Sequence, residues 1–440
     1  MYFSNKMLYN DKEVISLENN NYKMRLIDKK IEKYLKIFGA VCIEGPKWCG
    51  KTWTSRYHSN SEFLVGDPNN NFQNRQIAQL DVNTILIGEK PRLIDEWNEV
   101  PEIWDAVRYK CDEDGKKGKY ILTGSSTPNH KGIMHSGAGR IGKIKMLPMS
   151  LYESGDSTGD ISLEEICNGK ITNKITKNIS LKDLIGYILR GGWPGSIDLS
   201  IEQAIEIPKQ YVEEIIDDDS YRIDNVKRDT IKMKLLLKTL ARNESTTVSN
   251  NKLKEDIKDK ESNNIDDKTL SDYLNIFEKL YLLSNQKPYS PKVRSSLRIK
   301  QSEKRHFVDP SIATSLLNLN EKKLMNDLET LGFLFEAMVE RDLRIYADTF
   351  GAELYHYQDY NNNEIDAIIE MSDGEYAAIE IKLGAKQIDE AANNLIKIKN
   401  KMIEDGITPP KSLIVVCGLT NAAYQREDGV IVVPITALKN

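Results

Sequence analysis

The sequence predicts an α/β protein with a mostly parallel sheet in an N-terminal domain, a helical middle domain and a C-terminal α/β domain. Short apolar runs alternate with helical patterns from about residue 25 to residue 151, which is typical of a parallel sheet with helices between its strands. Three helix-length patterns follow between residues 228 and 320. From about residue 326 the order is helix, three strands, helix and strand, which indicates a second sheet.

Length and composition agree with a soluble protein of several domains. A chain of 440 residues exceeds what one hydrophobic core usually serves, so we expect about two to four domains. The net charge of −5 lacks the basic excess of a dedicated nucleic-acid binder, so any basic surface must be local. The five cysteines show no metal or disulfide pattern, and no segment resembles a secretory signal or a membrane span. We therefore expect a cytoplasmic protein without membrane contact.

The N-terminal domain is placed at residues 25–155, after an extension of residues 1–24. Its predicted strands are 38–45, 91–97 and 119–126, and its predicted helices are 50–58 and 100–114. Between the first strand and the first helix stands "GPKWCGKT", residues 45–52, which matches the phosphate-loop pattern G-x-x-x-x-G-K-[ST]. An incidental glycine-rich turn is the alternative, although the strand-loop-helix setting disfavours it.

A phosphate loop binds through its backbone, because glycines let successive N–H groups surround the phosphates and the helix N-terminus adds partial positive charge. We expect Lys51 to reach the β and γ phosphates of ATP and the Thr52 hydroxyl to bind Mg²⁺. Cys49 is interpreted as a bystander. The candidate nucleotide-binding residues here are Gly45, Pro46, Lys47, Trp48, Cys49, Gly50, Lys51, Thr52 and Trp53.

The partner of such a loop is an acidic residue at the end of a nearby strand. "RLIDEW" supplies Asp95, which would hold Mg²⁺, and Glu96, which would orient the attacking water. The presence of both favours hydrolysis over nucleotide binding alone, although carboxylates are also common at strand ends and turns.

Two further positions are candidates for contact with the γ phosphate. Thr123 and Ser125 in "YILTGSS" lie at the carboxyl end of a strand, where parallel sheets bind ligands, with a capping role as the alternative. Arg140 in "GAGRIGKI" is a candidate cationic finger, acting on a neighbouring subunit, or else a surface arginine.

Together, "GPKWCGKT", "LIDEW", "YILTGSS", "GRIGKIKMLPMSLYE" and "GGWPG" resemble prokaryotic AAA-like ATPases that continue into a winged helix and a restriction-endonuclease-like C-terminal domain. The resemblance extends from about residue 25 to the C-terminus. In that family the loop usually has Pro-Arg where this chain has Pro46 and Lys47, while the glycines, lysine and threonine of the motif are retained. The last two segments have no evident chemistry, so Trp193 and Pro194 are interpreted as structural.

The middle of the chain is predicted to be helical. The polar segment 156–178 is a boundary or insertion within a lid or linker region, 156–227, and residues 228–320 form a winged-helix-like domain. Its presumed recognition helix, 266–283, is acidic and poor for phosphate contact, whereas residues 282–306 are basic. The basic residues, which either contact phosphates as a wing or form a solvated loop, are Lys287, Lys292, Arg294, Arg298, Lys300, Lys304 and Arg305.

The C-terminal domain, 321–440, carries a second set of acidic residues. Asp366 in one strand and Glu380 with Lys382 in the next are brought together by a "MSDGEY" turn, and Glu336 lies on the preceding helix. Carboxylates that hold a metal beside a lysine are the requirements of a metal-dependent nuclease. The arrangement resembles the PD-(D/E)xK nuclease core, which implies a second Mg²⁺ or Mn²⁺ at Glu336, Asp366 and Glu380. The alternatives are a solvated edge strand or a fold that binds nucleic acid without cutting it.

These patterns support three functional hypotheses. The first is an ATPase that couples its nucleotide state to a nuclease-like domain that acts on or binds nucleic acid, with DNA as the expected partner. The second is a nucleotide-controlled regulatory or scaffold ATPase whose nuclease-like domain is non-catalytic. The third is a remodeller that moves or opens DNA. A finger at Arg140 would imply a homo-oligomer.

Overall fold

A computed structural model describes residues 22–124, 133–223, 226–258, 265–291, 301–359 and 363–440, without the side chains of Asp218, Asp219 and Arg222. The chain divides into two compact units, the first ending at Leu147 and the second beginning at Pro148. No helix among these residues is both long enough and apolar enough to cross a membrane.

The N-terminal unit is a five-stranded parallel sheet with helices, which confirms the predicted fold class of this part of the chain. The sheet has the order β2-β3-β4-β1-β5. Its strands are Ala40–Glu44 (β1), Ser61–Leu64 (β2), Arg92–Asp95 (β3), Tyr120–Gly124 (β4) and Ile141–Lys145 (β5). Its helices are Asp28–Ile37 (α1), Lys51–Tyr57 (α2), Asn69–Leu80 (α3), Val82–Ile85 (α4) and Glu102–Asp114 (α5), with a 3₁₀ turn at Trp97–Glu99.

The interior strand β1 has the residue pattern of a strand that is buried on both faces. Ala40 and Cys42 belong to the apolar core on one face of the sheet, whereas Val41 and Ile43 belong to the core on the other. A parallel strand covered on both faces is apolar at every position, because successive side chains point to opposite faces. The loop that follows β1 is thus anchored on a strand with no solvent-facing side.

The second unit combines many helices with a mixed sheet. Its helices are Leu151–Ser154 (α6), Leu163–Cys167 (α7), Leu181–Arg190 (α8), Ile201–Ala204 (α9), Glu206–Glu214 (α10), Ser220–Arg222 (α11), Thr230–Arg242 (α12), Asn250–Ile257 (α13), Asp267–Lys279 (α14), Pro310–Leu316 (α15), Glu321–Asn326 (α16), Leu328–Thr349 (α17) and Ile388–Glu404 (α18). A π-helical turn spans Ile215–Asp219, and 3₁₀ turns span Pro194–Ser196, Ala385–Gln387 and Ile435–Ala437.

The strands of this unit form an eight-stranded sheet of order β7-β13-β14-β12-β11-β10-β9-β8 and a two-stranded pair of β6 with β15. Strands β9, β10 and β11 are antiparallel, and β11, β12 and β14 are parallel, with α18 packed on one face. The strands are Ile161–Ser162 (β6), Lys174–Ile175 (β7), Lys287–Pro288 (β8), Glu353–Gln358 (β9), Glu364–Glu370 (β10), Tyr376–Gly384 (β11), Ser412–Leu419 (β12), Ala422–Gln425 (β13), Ile431–Pro434 (β14) and Leu438–Lys439 (β15).

The polar segment 156–178 belongs to this second unit. The sequence predicts a boundary or insertion there, yet the segment contributes β6, which pairs with β15, and β7, which pairs with β13. Ser157 Oγ also donates a 2.6 Å hydrogen bond to the carbonyl oxygen of Leu438. The segment therefore adds β7 to the eight-stranded sheet and β6 to the two-stranded pair.

The three helices of the predicted winged-helix region are present as α12, α13 and α14. Each begins at a side-chain cap, because Asp229, Ser249 and Asp266 accept hydrogen bonds from backbone N–H groups of the first turn. Asp272 on α14 forms an ion pair with Arg228 at 2.8 Å. Part of the acidic character of α14 thus serves the helix itself and its packing.

Candidate functional site

The loop between β1 and α2 approaches the sheet closely. A Cβ placed on Gly45 would lie 2.2 Å from the carbonyl oxygen of Met146, so a side chain cannot be accommodated at this position. Cys49 is fully buried, with Sγ 3.8 Å from the same carbonyl oxygen. The loop backbone is therefore held against the end of β5.

Lys51 opens α2 and is only 6% exposed. Its ammonium group donates hydrogen bonds to the carbonyl oxygens of Gly45 at 3.0 Å and Pro46 at 2.8 Å. The side chain thus turns back towards its own loop, and its ammonium group lies beside the loop backbone at Gly45 and Pro46. This is the position in which a phosphate-binding lysine is needed.

Thr52 and the end of β3 meet directly. The Thr52 hydroxyl donates to Asp95 Oδ1 at 3.0 Å, and the Thr123 hydroxyl at the end of β4 donates to the same carboxylate oxygen. The backbone N–H of Glu96 in turn donates to Thr123 Oγ1 at 3.3 Å. Because β4 lies between β1 and β3, the carboxyl ends of the three strands bring these residues together.

This group suits Mg²⁺. A threonine hydroxyl and an aspartate carboxylate are hard oxygen ligands, and here they are within hydrogen-bonding distance of each other beside the lysine of the loop. Glu96 follows Asp95 directly and has a left-handed backbone with a φ of 53°. A non-glycine residue in that conformation is uncommon and often marks a functional turn.

The other predicted nucleotide-binding residues are placed less centrally. Trp48 in the loop and Trp53 on α2 are 46% and 45% exposed, and Lys47 lies in the same loop. Ser125 lies outside the described residues.

Arg140 lies at the opposite edge of the sheet. It immediately precedes β5, and its carbonyl oxygen accepts a hydrogen bond from the N–H of Ala40 at the start of β1. Its side chain pairs with Asp112 at 2.8 Å. In a parallel sheet the phosphate loop lies at the other end of these strands, so Arg140 does not join the site of its own chain.

Sequence reasoning missed one residue that supports the loop. Arg25 donates to the carbonyl oxygens of Cys49 and Leu147, both at 2.8 Å, and its own N–H donates to Asp28 at 2.7 Å. Its partners are spread over more than a hundred positions of the chain, so no local pattern indicates this role.

The C-terminal carboxylates form a second cluster. Asp366 lies at an irregularity of β10, where the pairing with β9 shifts between Ile365 and Ile368. Its Oδ2 accepts from the N–H of Ile381 at 2.8 Å and contacts the ammonium group of Lys382 at 3.1 Å. Lys382 also contacts Glu380 at 2.6 Å. The predicted approach of β10 and β11 side chains is therefore present.

Two residues that sequence reasoning did not assign complete this cluster. Asn394 on α18 donates to Glu380 Oε1 at 2.8 Å. Lys304 is 2% exposed and pairs with Glu336, with Glu364 at 3.3 Å and with Asp366 at 3.7 Å. The sequence interpretation of Lys304, as part of a solvated or phosphate-contacting basic segment, is wrong, because this side chain points into the protein.

Burial and charge shift the protonation of the cluster in opposite directions. Burial raises the pKa of Glu336 to about 8, against the effect of Lys304. Burial and the charge of Asp366 raise the pKa of Glu380 to about 7. Burial opposes ionisation of Asp366 as well, but the charges of Lys304 and Lys382 hold its pKa below the ordinary value.

The predicted metal site at Glu336, Asp366 and Glu380 is not formed. Among the described residues, no three or more histidine, cysteine, aspartate or glutamate side chains are arranged to hold a metal ion. The physical reason is that two ammonium groups stand between these carboxylates and contact the oxygens that a metal would need. The residues present do not fit a divalent metal.

A cleft of about 490 Å³ opens beside the cluster. Glu336 and Lys382 lie on its wall, together with apolar residues that include Leu328, Phe333 and Leu419. Lys304 is not on this wall, so it meets the carboxylates from within the protein.

The basic segment of the middle region is only partly described. Lys292, Arg294, Arg298 and Lys300 lie outside the described residues. Lys287 is exposed, and Arg305 donates to the side-chain oxygen of Asn250 at 2.8 Å.

Comparison with known proteins supports an ATPase-like N-terminal domain. Residues 38–155 match the family model of an AAA domain. Residues 181–323 and 331–438 match two models that are each described as a domain of unknown function, DUF8612 and DUF4143. The AAA match covers β1 to β5 and the whole Lys51, Thr52, Asp95 and Thr123 group, and it supports ATP binding and ATPase activity.

Solved structures show only a distant likeness. A Walker-type ATPase of Pyrococcus abyssi is 14% identical with a TM-score of 0.43, over 66% of this chain and 94% of that chain. The RuvB Holliday junction branch migration motor of Thermotoga maritima is 15% identical with a TM-score of 0.25, over 62% of this chain and 89% of that chain. Likenesses this distant carry no functional argument. No curated protein matches the chain.

Proposed function

We propose that this protein is a Mg²⁺-dependent ATPase whose nucleotide state controls its C-terminal unit, residues 321–440. The observation that carries the ATPase proposal is the hydrogen-bonded chain from Thr52 through Asp95 to Thr123, which links the phosphate loop to the ends of two further strands. An incidental glycine-rich turn has no reason to place these three residues together.

Each residue has a proposed role in hydrolysis. The Lys51 ammonium group would neutralise phosphate charge, and the oxygens of Thr52 and Asp95 would hold Mg²⁺. When bound, the metal offsets the charge that develops on the phosphate oxygens. Glu96 accepts a hydrogen bond from the attacking water and orients it, while Thr123 keeps Asp95 and the turn at Glu96 in register.

The test is ATP turnover by the full chain. We expect Lys51→Ala and Glu96→Gln each to lower turnover by about 100-fold or more, because each removes a charge or a base from the reacting centre. Lys117→Ala, which changes an exposed lysine of the same unit, is the matched control and should turn over ATP at the wild-type rate. Wild-type turnover in Lys51→Ala would refute the site.

For the C-terminal unit we propose a non-catalytic, regulatory role with nucleic acid, DNA in the first instance, as the target. The observation that favours this over cleavage is the pairing of Asp366 and Glu380 with Lys382 and of Glu336 with Lys304. We further propose that the middle domain is a winged helix and that the C-terminal domain has a nuclease-like fold. The proposed location is the cytoplasm, and the proposed assembly is a homo-oligomer in which Arg140 serves a neighbouring copy.

Assays of the binding and of the cleavage of single- and double-stranded DNA distinguish the regulatory role from a nuclease role. We expect binding that differs between ATP and ADP, and no cleavage with Mg²⁺ or Mn²⁺. Cleavage by the wild type that disappears in Asp366→Ala would overturn the non-catalytic role and restore the nuclease. Equal DNA binding in both nucleotide states would refute the coupling.

A further inference from the structure

We propose that the ammonium group of Lys304 is the resident cation of the C-terminal carboxylate cluster, in the place that a divalent metal would take. This cluster then works without a metal. The inference deepens the non-catalytic role proposed for the C-terminal unit, and it is independent of ATP hydrolysis at the phosphate loop.

The first argument is the ring of oxygens around one nitrogen. Carboxyl groups from α17 and from two positions of β10 surround Lys304 Nζ, namely Glu336, Glu364 at 3.3 Å and Asp366 at 3.7 Å. Oxygen atoms from several chain segments gathered on one point are the arrangement that a hard cation requires. Here an ammonium group, with three N–H donors, occupies that point.

The second argument is that the backbone fixes this lysine. Lys304 and Gln286 exchange two backbone hydrogen bonds, both 2.9 Å, and the next residue, Arg305, donates its N–H to the carbonyl oxygen of Thr246 at 2.8 Å. The Gln286 side chain also donates to the carbonyl oxygen of Asp366 at 3.2 Å. Lys304 is therefore tied to the same strand whose carboxylates it contacts.

The third argument is that both oxygens of Asp366 and both oxygens of Glu380 already have partners within the protein. Asp366 has Lys304 on one oxygen, and Lys382 with the N–H of Ile381 on the other. Glu380 has Lys382 on one oxygen and Asn394 on the other. A divalent ion would have to displace a buried ammonium group and leave it unpaired, which is costly in a protein interior.

The position of Lys304 separates it from a catalytic lysine. Lys382 and Glu336 line the cleft, whereas Lys304 is 2% exposed and does not line it. It has no access to a scissile bond in the cleft. Its charge acts on the carboxylates alone.

The test is Mn²⁺ binding to the full chain without nucleotide, measured by electron paramagnetic resonance. All proteins carry Asp95→Asn, which removes the predicted metal ligand of the phosphate loop. We expect no Mn²⁺ that depends on Asp366 in the Lys304-containing protein. Lys304→Met should gain one Mn²⁺ per chain. Its affinity for Mn²⁺ should exceed that of the Lys304-containing protein by about 100-fold or more, because a positive charge within a few ångströms is removed.

Two controls locate the gained ion. Adding Asp366→Asn to Lys304→Met should abolish it, and Lys287→Met, which removes an exposed lysine of the same region, should gain nothing. Circular dichroism establishes that each variant is folded.

Two outcomes overturn the proposal. One is an Asp366-dependent Mn²⁺ in the presence of Lys304, and the other is a folded Lys304→Met that gains no ion. If Lys304→Met does not fold, Lys304→Gln replaces it with an uncharged side chain of similar reach. If neither folds, the Lys304-containing protein decides alone, by the presence or absence of Asp366-dependent Mn²⁺. Because ATP turnover is not measured, failure here leaves the ATPase proposal standing.

Discussion

Thr123 is the residue on which the geometry of the first site depends most. Its hydroxyl donates to Asp95 and accepts from the N–H of Glu96, so one oxygen sets both the carboxylate and the turn that carries Glu96. Removing a supporting hydrogen bond of this kind usually costs about 10- to 100-fold in activity. We therefore expect Thr123→Val to lower kcat for ATP by that factor while KM changes little.

The control for Thr123→Val is Thr84→Val, which removes a hydroxyl bonded only to the exposed Asp81. Steady-state turnover at several ATP concentrations separates kcat from KM. An unchanged kcat in Thr123→Val would show that Asp95 and Glu96 hold their positions without this hydroxyl.

Glu336 is a second residue with a measurable consequence. Its pKa is about 8 in the folded protein, against an ordinary value of 4.5, so the folded state holds this proton more tightly than the unfolded state. The stability that the proton contributes is present at low pH and is lost as the pH rises towards about 8. Glu336→Gln cannot lose it, so its unfolding midpoint should rise relative to the wild type between about pH 5 and about pH 8.

Urea unfolding at a series of pH values measures this difference. The groups that face Glu336 are Lys304, Glu364 and Asp366, and all are present in both proteins. The difference therefore reports the titration of Glu336 together with its coupling to these three groups. Glu329→Gln, at an exposed position on the same helix, should show no such trend. A difference that is flat or falls with pH would refute the predicted shift.

At the residue scale, the sequence predicted what is encoded locally. Gly45, Lys51 and Thr52 are separated by a fixed spacing, and Asp95 follows an apolar strand, so their roles can be inferred from short patterns. The burial of Lys304 cannot be inferred in this way. Its neighbours Glu303 and Arg305 are charged, and the backbone pairings that fix this segment, with Gln286 and Thr246, join residues that are distant in the sequence.

At the scale of elements, the segments "LPMSLYE" and "GGWPG" pack against each other. Trp193 is 1% exposed, and its indole N–H donates to Ser311 at 2.9 Å. The N–H of Met149 donates to the carbonyl oxygen of Gly192 at 2.6 Å. The Met149 contact ties the start of the second unit to the turn after α8, and the Trp193 contact ties that turn to α15.

Gly192 tests this packing. A Cβ at this position would lie 2.1 Å from the carbonyl oxygen of Met149, which is backbone and cannot move aside. We expect Gly192→Ala to destabilise the protein by about 1–3 kcal/mol, the usual cost of overpacking. Gly195→Ala is the matched control, because no atom lies within 4 Å of its added Cβ. Equal thermal midpoints for the two variants would contradict the close approach.

The elements that sequence analysis located are those with a strong apolar period. Helix α17 and strands β10, β11 and β12 lie where the pattern placed them, because each buries one or both faces. The strands β6 and β7 have two residues each and lie in a polar segment. Their pairing depends on β15 and β13, more than two hundred residues away, so no local period indicates them.

At the scale of the whole molecule, both sites lie where a sheet and a helix meet, but they treat charge differently. The first site gathers Lys51, Thr52 and Asp95 around a region suited to phosphates and a metal. The second neutralises its carboxylates internally through Lys304 and Lys382. An overall charge of −5 also gives the chain no general attraction to nucleic acid, so DNA binding would have to be local and dependent on salt.

The cysteines provide a test that covers both units. All five, Cys42, Cys49, Cys111, Cys167 and Cys417, are buried and free. Burial raises the pKa of Cys111 and Cys417 to about 11 and that of Cys167 to about 12, and the thiolate is the reactive form. We expect less than one thiol per chain to react rapidly with a thiol reagent at pH 8 in the folded protein, and five in urea. Ser372→Cys, in an exposed turn, is the positive control and should add one fast thiol. A native cysteine that reacts as fast as this control would show that one of the two cores opens in solution.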